Sequence, residues 1–317
     1  MTTFDVITMG RVGVDIYPEQ TGVGLEDVTS FAKFLGGSST NVAVAAARLG
    51  HRAATITRTG DDPFGRFIHR ALRGFDVDDR YVTAVPGLPT PVVFCEIFPP
   101  DHFPLYFYRE PKAPDLEIRP DELDLDAIRA AKVFWLTVTG MSQEPSRAAH
   151  LAALEARSGS DGITVIDLDY RPMFWATESA ATEQIERVLP FVTTAVGNLE
   201  ECRVAVGESD PEAAAKALHD RGVDLAVVKQ GPAGVLGSRA GEQVVVPPMP
   251  VDVVNGLGAG DAFGGALVHG LLEDLPLERT LTLANAAGSY VAGRLACADA
   301  MPTAVELETY LEGGATS

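Results

Sequence analysis

The sequence predicts an α/β fold in which helices cover both faces of a mostly parallel sheet. Six short apolar runs have the character of buried strands and are separated by helical patterns; they are residues 4–9, 53–57, 133–137, 163–167, 194–197 and 225–229. Strands that alternate with helices form βαβ units, whose strands are parallel. Ligands of such folds bind beyond the carboxyl ends of the strands.

Two of the predicted helices end at glycine. The Ala-rich stretch 41–49 precedes Gly50, and the stretch 211–221 precedes Gly222. Glycine is the commonest residue just past a helix end because it adopts left-handed backbone angles without a steric penalty. These stops support the helix–strand alternation.

Two segments, 14–34 and 91–114, break this rhythm. The second contains β-rich patches at 92–98 and 105–108, which are separated by Pro99, Pro100 and Asp101. This pattern predicts a hairpin with a proline-marked turn. We therefore expect one domain over residues 1–317, with a small β-rich lid built from about 14–34 and 91–114.

Composition narrows the classes of partner. The chain has 317 residues, 46% of them hydrophobic, and a net charge of −19. Such a charge disfavours nucleic acid and anionic membrane surfaces. Three widely spaced cysteines and an N-terminus without signal-peptide features predict a cytoplasmic protein, and no apolar run is long enough to span a bilayer.

The strongest local signal is the glycine-rich run 255–261, which ends at Asp261 and enters an apolar helical pattern. Backbone N–H groups at a helix start bind anions, and an aspartate there could accept a hydroxyl proton beside a bound phosphate. On these grounds alone, Asp261 is equally well explained as a helix N-cap. The run matches neither a Walker A motif nor a dinucleotide fingerprint, which disfavours a dinucleotide-dependent oxidoreductase.

A second glycine loop, Gly36-Gly37, precedes Asn41 at the start of the first long helix. Read alone, Asn41 is slightly better explained as an N-cap. The functional alternative is that the paired glycines let a substrate approach the backbone while Asn41 binds a hydroxyl.

Taken together, these motifs resemble the two signatures of the ribokinase-like (PfkB) carbohydrate kinases, and the similarity covers nearly the whole chain. Four further segments match in the family's order; they are Gly60 to Gly65, Asn198 to Glu201, Gly231 to Gly234, and Asn285 with its flanking alanines. The resemblance implies a ribokinase-like three-layer α/β/α fold and an ATP-dependent sugar kinase.

The resemblance also implies roles at the matched positions. Asp261 would be the catalytic base, and the backbone of Gly258, Ala259 and Gly260 would hold the transferred phosphoryl group. Substrate hydroxyls would be bound by Asp15 together with Gly36, Gly37 and Asn41. Mg²⁺ would be organised through water by Asn198 and Glu201. ATP would contact Asn198, Lys229, Gly231, Gly234, Gly258, Gly260 and Asn285.

One position departs from the family. Asn255-Gly256 stands where members usually have Asp-Thr, and in related kinases that aspartate helps to hold a monovalent cation. The change removes a negative charge, so the resemblance does not carry potassium activation over to this chain.

Cationic residues narrow the substrate. Arg171, in the segment 167–175, is similar to the arginine that binds the carboxylate in 2-keto-3-deoxygluconate kinases, and a guanidinium can bond both carboxylate oxygens. The alternative is a surface arginine paired with an acid such as Asp169. In the predicted lid, Arg109 and, less firmly, Lys112 could supply local positive charge to an anionic substrate.

Longer matches at 10–18, 90–101, 108–115 and 295–302 resemble the branch of the family that phosphorylates the 6-hydroxyl of 5-dehydro-2-deoxy-D-gluconate in myo-inositol catabolism. The alternatives are a 2-keto-3-deoxygluconate kinase, then a ribokinase or fructokinase, and, from a different class, a non-catalytic sugar-binding protein. The lid's apolar β edge predicts a homodimer formed through the lids.

Overall fold

The computed structural model describes residues 3–314. Its strands are β1 (Val6–Met9), β2 (Gly13–Pro18), β3 (Phe31–Gly36), β4 (Ala53–Gly60), β5 (Val77–Asp78), β6 (Val82–Val85), β7 (Val92–Cys95), β8 (Leu105–Tyr108), β9 (Val133–Thr137), β10 (Ile163–Asp167), β11 (Thr194–Asn198), β12 (Leu225–Lys229), β13 (Val235–Arg239) and β14 (Glu242–Val246). Its α-helices are α1 (Ser38–Arg48), α2 (Pro63–Gly74), α3 (Leu125–Ala130), α4 (Ser146–Arg157), α5 (Glu178–Val188), α6 (Leu199–Val206), α7 (Pro211–His219), α8 (Ala259–Leu272), α9 (Leu277–Ala292) and α10 (Ala304–Gly314).

The large sheet has the strand order β14-β13-β12-β11-β10-β9-β1-β4-β5, and β6 also pairs with β4. The strands from β12 to β5 along this order are parallel, and β13 and β14 add an antiparallel edge. All six apolar runs lie in this sheet, so the predicted α/β fold with a mostly parallel sheet is confirmed. Their apolar character follows from burial on both faces.

Helices cover both faces of the sheet. One core is formed with α1, α8 and α9 and includes Val42, Ala266 and Leu281; the other is formed with α3 to α7 and includes Ile128 and Ala215. Two predicted helix limits were wrong by a few residues: α1 begins at Ser38 rather than at 41, and α7 ends at His219 rather than at 221.

A second sheet has the order β3-β2-β7-β8 and draws its strands from both segments that break the α/β rhythm. β7 and β8 pair antiparallel, as the hairpin prediction requires. The first strand of the hairpin is shorter than predicted and ends at Cys95. Beyond it Glu96 N still donates to Pro104 O, and an isolated bridge joins Phe98 to His102, but no regular ladder continues across residues 96–104 because proline cannot donate to one.

The carboxyl ends of the parallel strands lie at one edge of the large sheet, beside the second sheet. Arg11 follows β1 closely, and Asp169 and Arg171 follow β10; Asn198 and Lys229 are the last residues of β11 and β12. Within residues 3–314, no helix is long and apolar enough to cross a bilayer.

Candidate active site

A cavity of about 390 Å³ lies between the carboxyl edge of the large sheet and the second sheet. Polar and charged side chains come both from the large sheet with its helices and from the second sheet, whose β2 carries Asp15 and Tyr17, whereas the apolar side chains come largely from the second sheet and its hairpin. Its lining includes Arg11, Asp15, Tyr17, Gly37, Ser38, Asn41, Val93, Asp101, Phe103, Leu105, Phe107, Arg171, Gly258, Gly260, Asp261 and Cys297. The volume suits a small metabolite.

Asp261 is held in this cavity by the first turn of α1. Ser38 Oγ donates to Asp261 Oδ1 at 2.9 Å, and Asn41 Nδ2 donates to Oδ2 at 2.8 Å. Burial raises the pKa of Asp261, while Asn41 and Ser38 oppose that rise by bonding the charged form. The N-cap interpretations of both Asp261 and Asn41 are wrong, because Gly258 and Gly37 occupy the N-cap positions of α8 and α1.

The start of α8 is open. Gly258 has φ of +81°, and a Cβ there would lie 2.7 Å from Cys297 Sγ, so only glycine suits this position. As the N-cap residue, Gly258 has no side chain with which to cap the helix. The first N–H groups of a helix have no acceptor within it, so this end is available to an anion.

Lys229 lies close to the same helix start, since a Cβ on Gly260 would be 3.6 Å from its Nζ. Its ammonium faces the carboxylates of Asp167, Glu201 and Asp261. Burial raises the pKa of Asp167, while Lys229 opposes that rise. An ammonium group beside an open helix start makes a strong site for phosphate oxygens.

A second cavity, of about 380 Å³, adjoins the first at Gly260. Lys229, Gly231, Gly234, Ala259 and Asn285 are among its lining residues, which brings together most of the residues predicted to contact ATP. Asn285 Nδ2 donates to Pro247 O at 2.9 Å and so holds the loop after β14 at the cavity wall.

Asn198 and Glu201, the predicted Mg²⁺ residues, form a capping box at the start of α6. Asn198 Oδ1 accepts from Glu201 N at 2.9 Å, and Glu201 Oε2 accepts from Asn198 N at 2.7 Å. Glu201 is buried near Lys229 and Arg171. The role of Asn198 and Glu201 in binding Mg²⁺ stays a prediction, whereas the hydrogen bonds show that both residues cap α6.

Two arginines share one buried carboxylate at the cavity wall. Arg171 Nη2 lies 3.0 Å from Asp169 Oδ1, and Arg11 Nη2 lies 3.5 Å from Asp169 Oδ2. The predicted alternative, a pair between Arg171 and Asp169, therefore exists, yet Arg171 lines the cavity as well. The Nε atoms of both arginines are buried without a hydrogen-bond partner in the described chain.

Asp15 is a buried residue of the cavity wall. Gly36 leaves room for it, since a Cβ at Gly36 would be 2.1 Å from Asp15 Oδ1. Tyr17 donates its hydroxyl to Asp15 Oδ2 at 2.7 Å and also lies 2.9 Å from Cys297 Sγ. Burial raises the pKa of Asp15 to about 6.

Arg109 and Lys112 do not line the cavity. Arg109 pairs with buried Asp115 at 2.7 Å and lies over the Phe174 ring, while Lys112 pairs with Glu117 at 2.6 Å. The substrate role of Arg109 stays a prediction that would require this side chain to leave Asp115.

The sequence prediction missed Arg11, Ser38, Tyr17 and Cys297. Arg11 sits just past the first strand, where ligands bind in parallel α/β folds, and that position was an available signal. Cys297 contacts Tyr17 across 280 positions, a contact that no local pattern could show.

Known proteins share the sequence pattern and the fold of this chain. A family model described as pfkB family carbohydrate kinase matches residues 3–304. The chain is similar to a 5-dehydro-2-deoxygluconokinase of Geobacillus kaustophilus, at 32% identity over 97% of this chain and 93% of that one. A protein of the same name in Listeria monocytogenes is 31% identical over 97% and 96% of the two chains.

A solved structure shares the fold. It is a ribokinase II from E. coli, crystallised in complex with ATP and Mg²⁺. Its TM-score is 0.88 at 22% identity, and the match covers 98% of this chain and 99% of that one.

Proposed function

The chain belongs to the pfkB family of carbohydrate kinases, and on that premise we propose that it transfers the γ-phosphoryl group of ATP to a hydroxyl of a carboxylated sugar. The leading substrate is 5-dehydro-2-deoxy-D-gluconate, converted to its 6-phosphate. The observation that carries the sugar-acid assignment is the pair of arginines on Asp169 at the wall of the cavity that holds Asp261. The names of the curated relatives support the same substrate.

Asp261 is the proposed base. Its two oxygens are held by Ser38 and Asn41, so the carboxylate has a fixed direction toward the cavity. A raised pKa makes the ionised carboxylate a stronger base, so it accepts the proton of a sugar hydroxyl more readily. The proton moves from the acceptor hydroxyl to Asp261 as that oxygen bonds to the γ-phosphorus of ATP, and the bond from this phosphorus to the β–γ bridging oxygen breaks, which releases ADP.

The start of α8 is proposed to stabilise the negative charge of the transferred phosphoryl group. Gly258, Ala259 and Gly260 supply backbone N–H groups there, and Lys229 adds a full positive charge nearby. Phosphoryl transfer depends on positioning and charge stabilisation more than on covalent chemistry, so a preorganised anion site suffices.

The adjoining cavity at Gly231, Gly234 and Asn285 is the proposed ATP site. Mg²⁺ neutralises charge on the ATP phosphates when it is bound. The carboxylates near Lys229 fit such an ion, because Mg²⁺ prefers oxygen ligands and retains water. Asn198 and Glu201 would hold it through water while they also cap α6.

The sugar carboxylate is proposed to bind Arg171 and Arg11. Asp169 is 3% exposed and contacts both guanidinium groups, which fixes their positions before substrate arrives. One carboxylate cannot satisfy all the N–H donors of two guanidinium groups, and within residues 3–314 the buried Nε atoms of both arginines have no hydrogen-bond partner. A substrate carboxylate would complete this arrangement of charges.

An ATP-consumption screen across neutral sugars, nucleosides and keto-deoxy sugar acids tests the proposal. We expect turnover with 5-dehydro-2-deoxy-D-gluconate and little with ribose or fructose. If the enzyme prefers 2-keto-3-deoxygluconate, the proposed phosphoryl transfer to a sugar acid stands, but the assigned substrate is wrong. Preference for a neutral sugar would overturn the carboxylate assignment, and binding of a sugar without ATP consumption would indicate a non-catalytic binding protein.

The Arg171→Ala variant isolates the carboxylate contact. Its KM for the sugar acid should rise by about tenfold or more, because a charge-assisted pair is lost. Arg80→Ala is a matched control, since Arg80 forms the same i, i+2 pair with Asp78 away from the cavity. Equal kinetics for the two variants would contradict the proposed role of Arg171.

The second sheet is proposed to act as a lid and as a dimer surface. Val93, Leu105 and Phe107 line the cavity, whereas Tyr106 and Tyr108 alternate with them and are exposed, Tyr108 by 62%. An aromatic face left open in this way supports pairing of two lids. Light scattering tests this: Tyr108→Glu should shift a dimer toward monomer, and a monomeric parent chain at all concentrations would contradict it.

We also propose that the reaction takes place in the cytoplasm. Cys95, Cys202 and Cys297 are free and buried, which supports a reducing compartment. Fractionation of the source cells, with immunodetection of the protein, would test this.

A further inference from the structure

Three side chains of types that can bind a metal ion lie together at the far end of α8, away from the helix start in the active site. His269 and Glu273 lie one turn apart at the end of α8, and His51 lies in the loop that follows α1. His51 Nε2 is 2.8 Å from His269 Nδ1, and one ligating atom from each of the three residues lies within 4.8 Å of the others. None of the three lines either cavity of the active site.

These distances are close to those of a zinc site. Zn²⁺ binds imidazole nitrogens at about 2.0–2.1 Å, so two nitrogens on a tetrahedral ion are about 3.3 Å apart. The histidine pair would have to open by about 0.5 Å to admit the ion. Glu273 is exposed at the end of its helix, so its carboxylate can swing without disturbing the core.

The charge state of the site also suits a cation. Burial lowers the pKa of His51, with His269 adding to the effect, and burial likewise lowers the pKa of His269. A lowered pKa favours the neutral imidazole, which is the form that ligates metal. Lys132 opposes a cation at His51, whereas Asp5 and Glu273 favour it, and Glu308 favours it at His269.

The helix itself adds to this preference. His269 and Glu273 occupy the last turn of α8, where the helix dipole favours positive charge. Two nitrogens and one carboxylate oxygen, with a water molecule as the fourth ligand, form a donor set typical of Zn²⁺. Mg²⁺ prefers a shell of oxygen ligands, so the kinase's own cation is a poor match here.

We propose that His51, His269 and Glu273 form a binding site for a borderline divalent cation, with Zn²⁺ as the best match. The ion would join the loop after α1 to the end of α8. These are the two helices whose other ends bring Asn41 and Asp261 together, about 12 Å away along α8. The ion would stabilise the packing of α1 on α8 without entering the reaction.

Calorimetric titration with ZnCl₂ tests the proposal, using full-length protein first stripped of metal with a chelator. We expect one saturable equivalent and a Tm that rises with Zn²⁺ concentration. Co²⁺ should give visible d–d bands of a low-coordinate site with nitrogen ligands. His51→Gln and His269→Gln should each weaken Zn²⁺ binding by at least about tenfold, since each removes a direct ligand.

His69→Gln is the matched control, because His69 is also half-buried and faces a carboxylate, Asp79, at 2.5 Å. It should bind Zn²⁺ like the parent chain. A cooperative thermal unfolding transition, measured in the absence of metal, establishes that each variant is folded. The proposal is overturned if the parent chain shows no saturable binding, or if both histidine variants retain parental affinity and Co²⁺ bands. Either result leaves the kinase assignment untouched, since sugar phosphorylation with Mg²⁺ is measured separately.

Discussion

The starts of α6 and α8 lie at the same edge of the protein, yet they are built in opposite ways. At α6, Asn198 and Glu201 bond each other's backbone N–H groups and close the helix end. At α8, Gly258 offers no side-chain cap, and Asp261 in the first turn bonds Ser38 and Asn41 of α1 instead.

The capped start of α6 contributes to folding stability, whereas the open start of α8 is available to bind a ligand. A closed helix start has satisfied its own donors, so its side chains contribute mainly to folding. An open start leaves N–H groups available to an anion and relies on packing for its stability. Substitutions at the two helix starts should therefore affect different measurable quantities.

The largest effect is expected at α8. Asp261→Asn removes the proton acceptor while it keeps the shape of the side chain. We expect kcat to fall by about 10² or more, or about 2.7 kcal/mol in activation free energy, in a coupled assay of ADP release.

The stability of this variant provides the control. Asp261 is a buried carboxylate whose charge is costly, so Asp261→Asn should not lower the Tm appreciably. Unchanged kcat would remove Asp261 from the mechanism. A large loss of Tm would mean that the open helix start also depends on this side chain for folding.

At α6 the expected effect is on stability. Asn198→Ala removes the acceptor for Glu201 N and should reduce the free energy of unfolding by about 1 kcal/mol, measured by urea denaturation. Because Asn198 is also proposed to hold Mg²⁺ through water, the Mg²⁺ concentration for half-maximal rate should rise in this variant. An unchanged concentration would contradict the metal role and leave Asn198 with the capping role alone.

Much of the fold could be predicted because apolar strand runs are a direct consequence of burial. The runs at 133–137, 163–167 and 225–229 coincide with β9, β10 and β12. The limits that were missed depend on backbone conformation. Gly37 has φ of +107° at the N-cap of α1, so the helix begins three residues before the alanine-rich pattern suggests.

The site was harder to predict because its contacts are long-range. Asn41 and Asp261 were each found by a local motif, but their hydrogen bond joins positions 220 apart. For the same reason the N-cap interpretation of each could not be excluded from sequence. Arg11 was missed although it follows a strand at the ligand-binding edge, because a single arginine there belongs to no motif, and its contact with the carboxylate of Asp169 shows its position in the cavity.

A smaller effect concerns the pH dependence of the base at α8. kcat/KM is lost as pH falls through the pKa of Asp261, because the protonated carboxyl cannot accept a proton. Burial raises that pKa, and the hydrogen bond from Asn41 opposes the rise by stabilising the charged form. Asn41→Ala should therefore move the acid limb assigned to Asp261 to higher pH.

Ser38→Ala is the companion variant, since it removes the donor to the other oxygen and should shift the limb in the same direction. Burial raises the pKa of Asp15 to about 6, Tyr17 and Arg11 oppose that rise, and the Asp261 carboxylate adds to it, so a limb from Asp15 should move less than the limb from Asp261. A shift to lower pH in either variant would contradict the proposed role of these hydrogen bonds.

The smallest effect is expected from monovalent cations near the start of α8. Asn255 is fully buried, and its Nδ2 donates to Leu295 O at 2.7 Å while its Oδ1 accepts from Leu257 N at 3.1 Å. An amide satisfies both partners without a counter-ion, whereas an aspartate could not donate to the carbonyl and would bury a charge. We therefore expect the same kcat in K⁺, Na⁺ and choline at equal ionic strength.

Asn255→Asp supplies the contrasting case. The new carboxylate would face Leu295 O without a donor, so a cation between the two oxygens would relieve the repulsion. This variant should lose Tm in choline and regain part of it in K⁺. Activation of the parent chain by K⁺ would contradict the prediction and show that a cation site can form beside the open helix start without the aspartate.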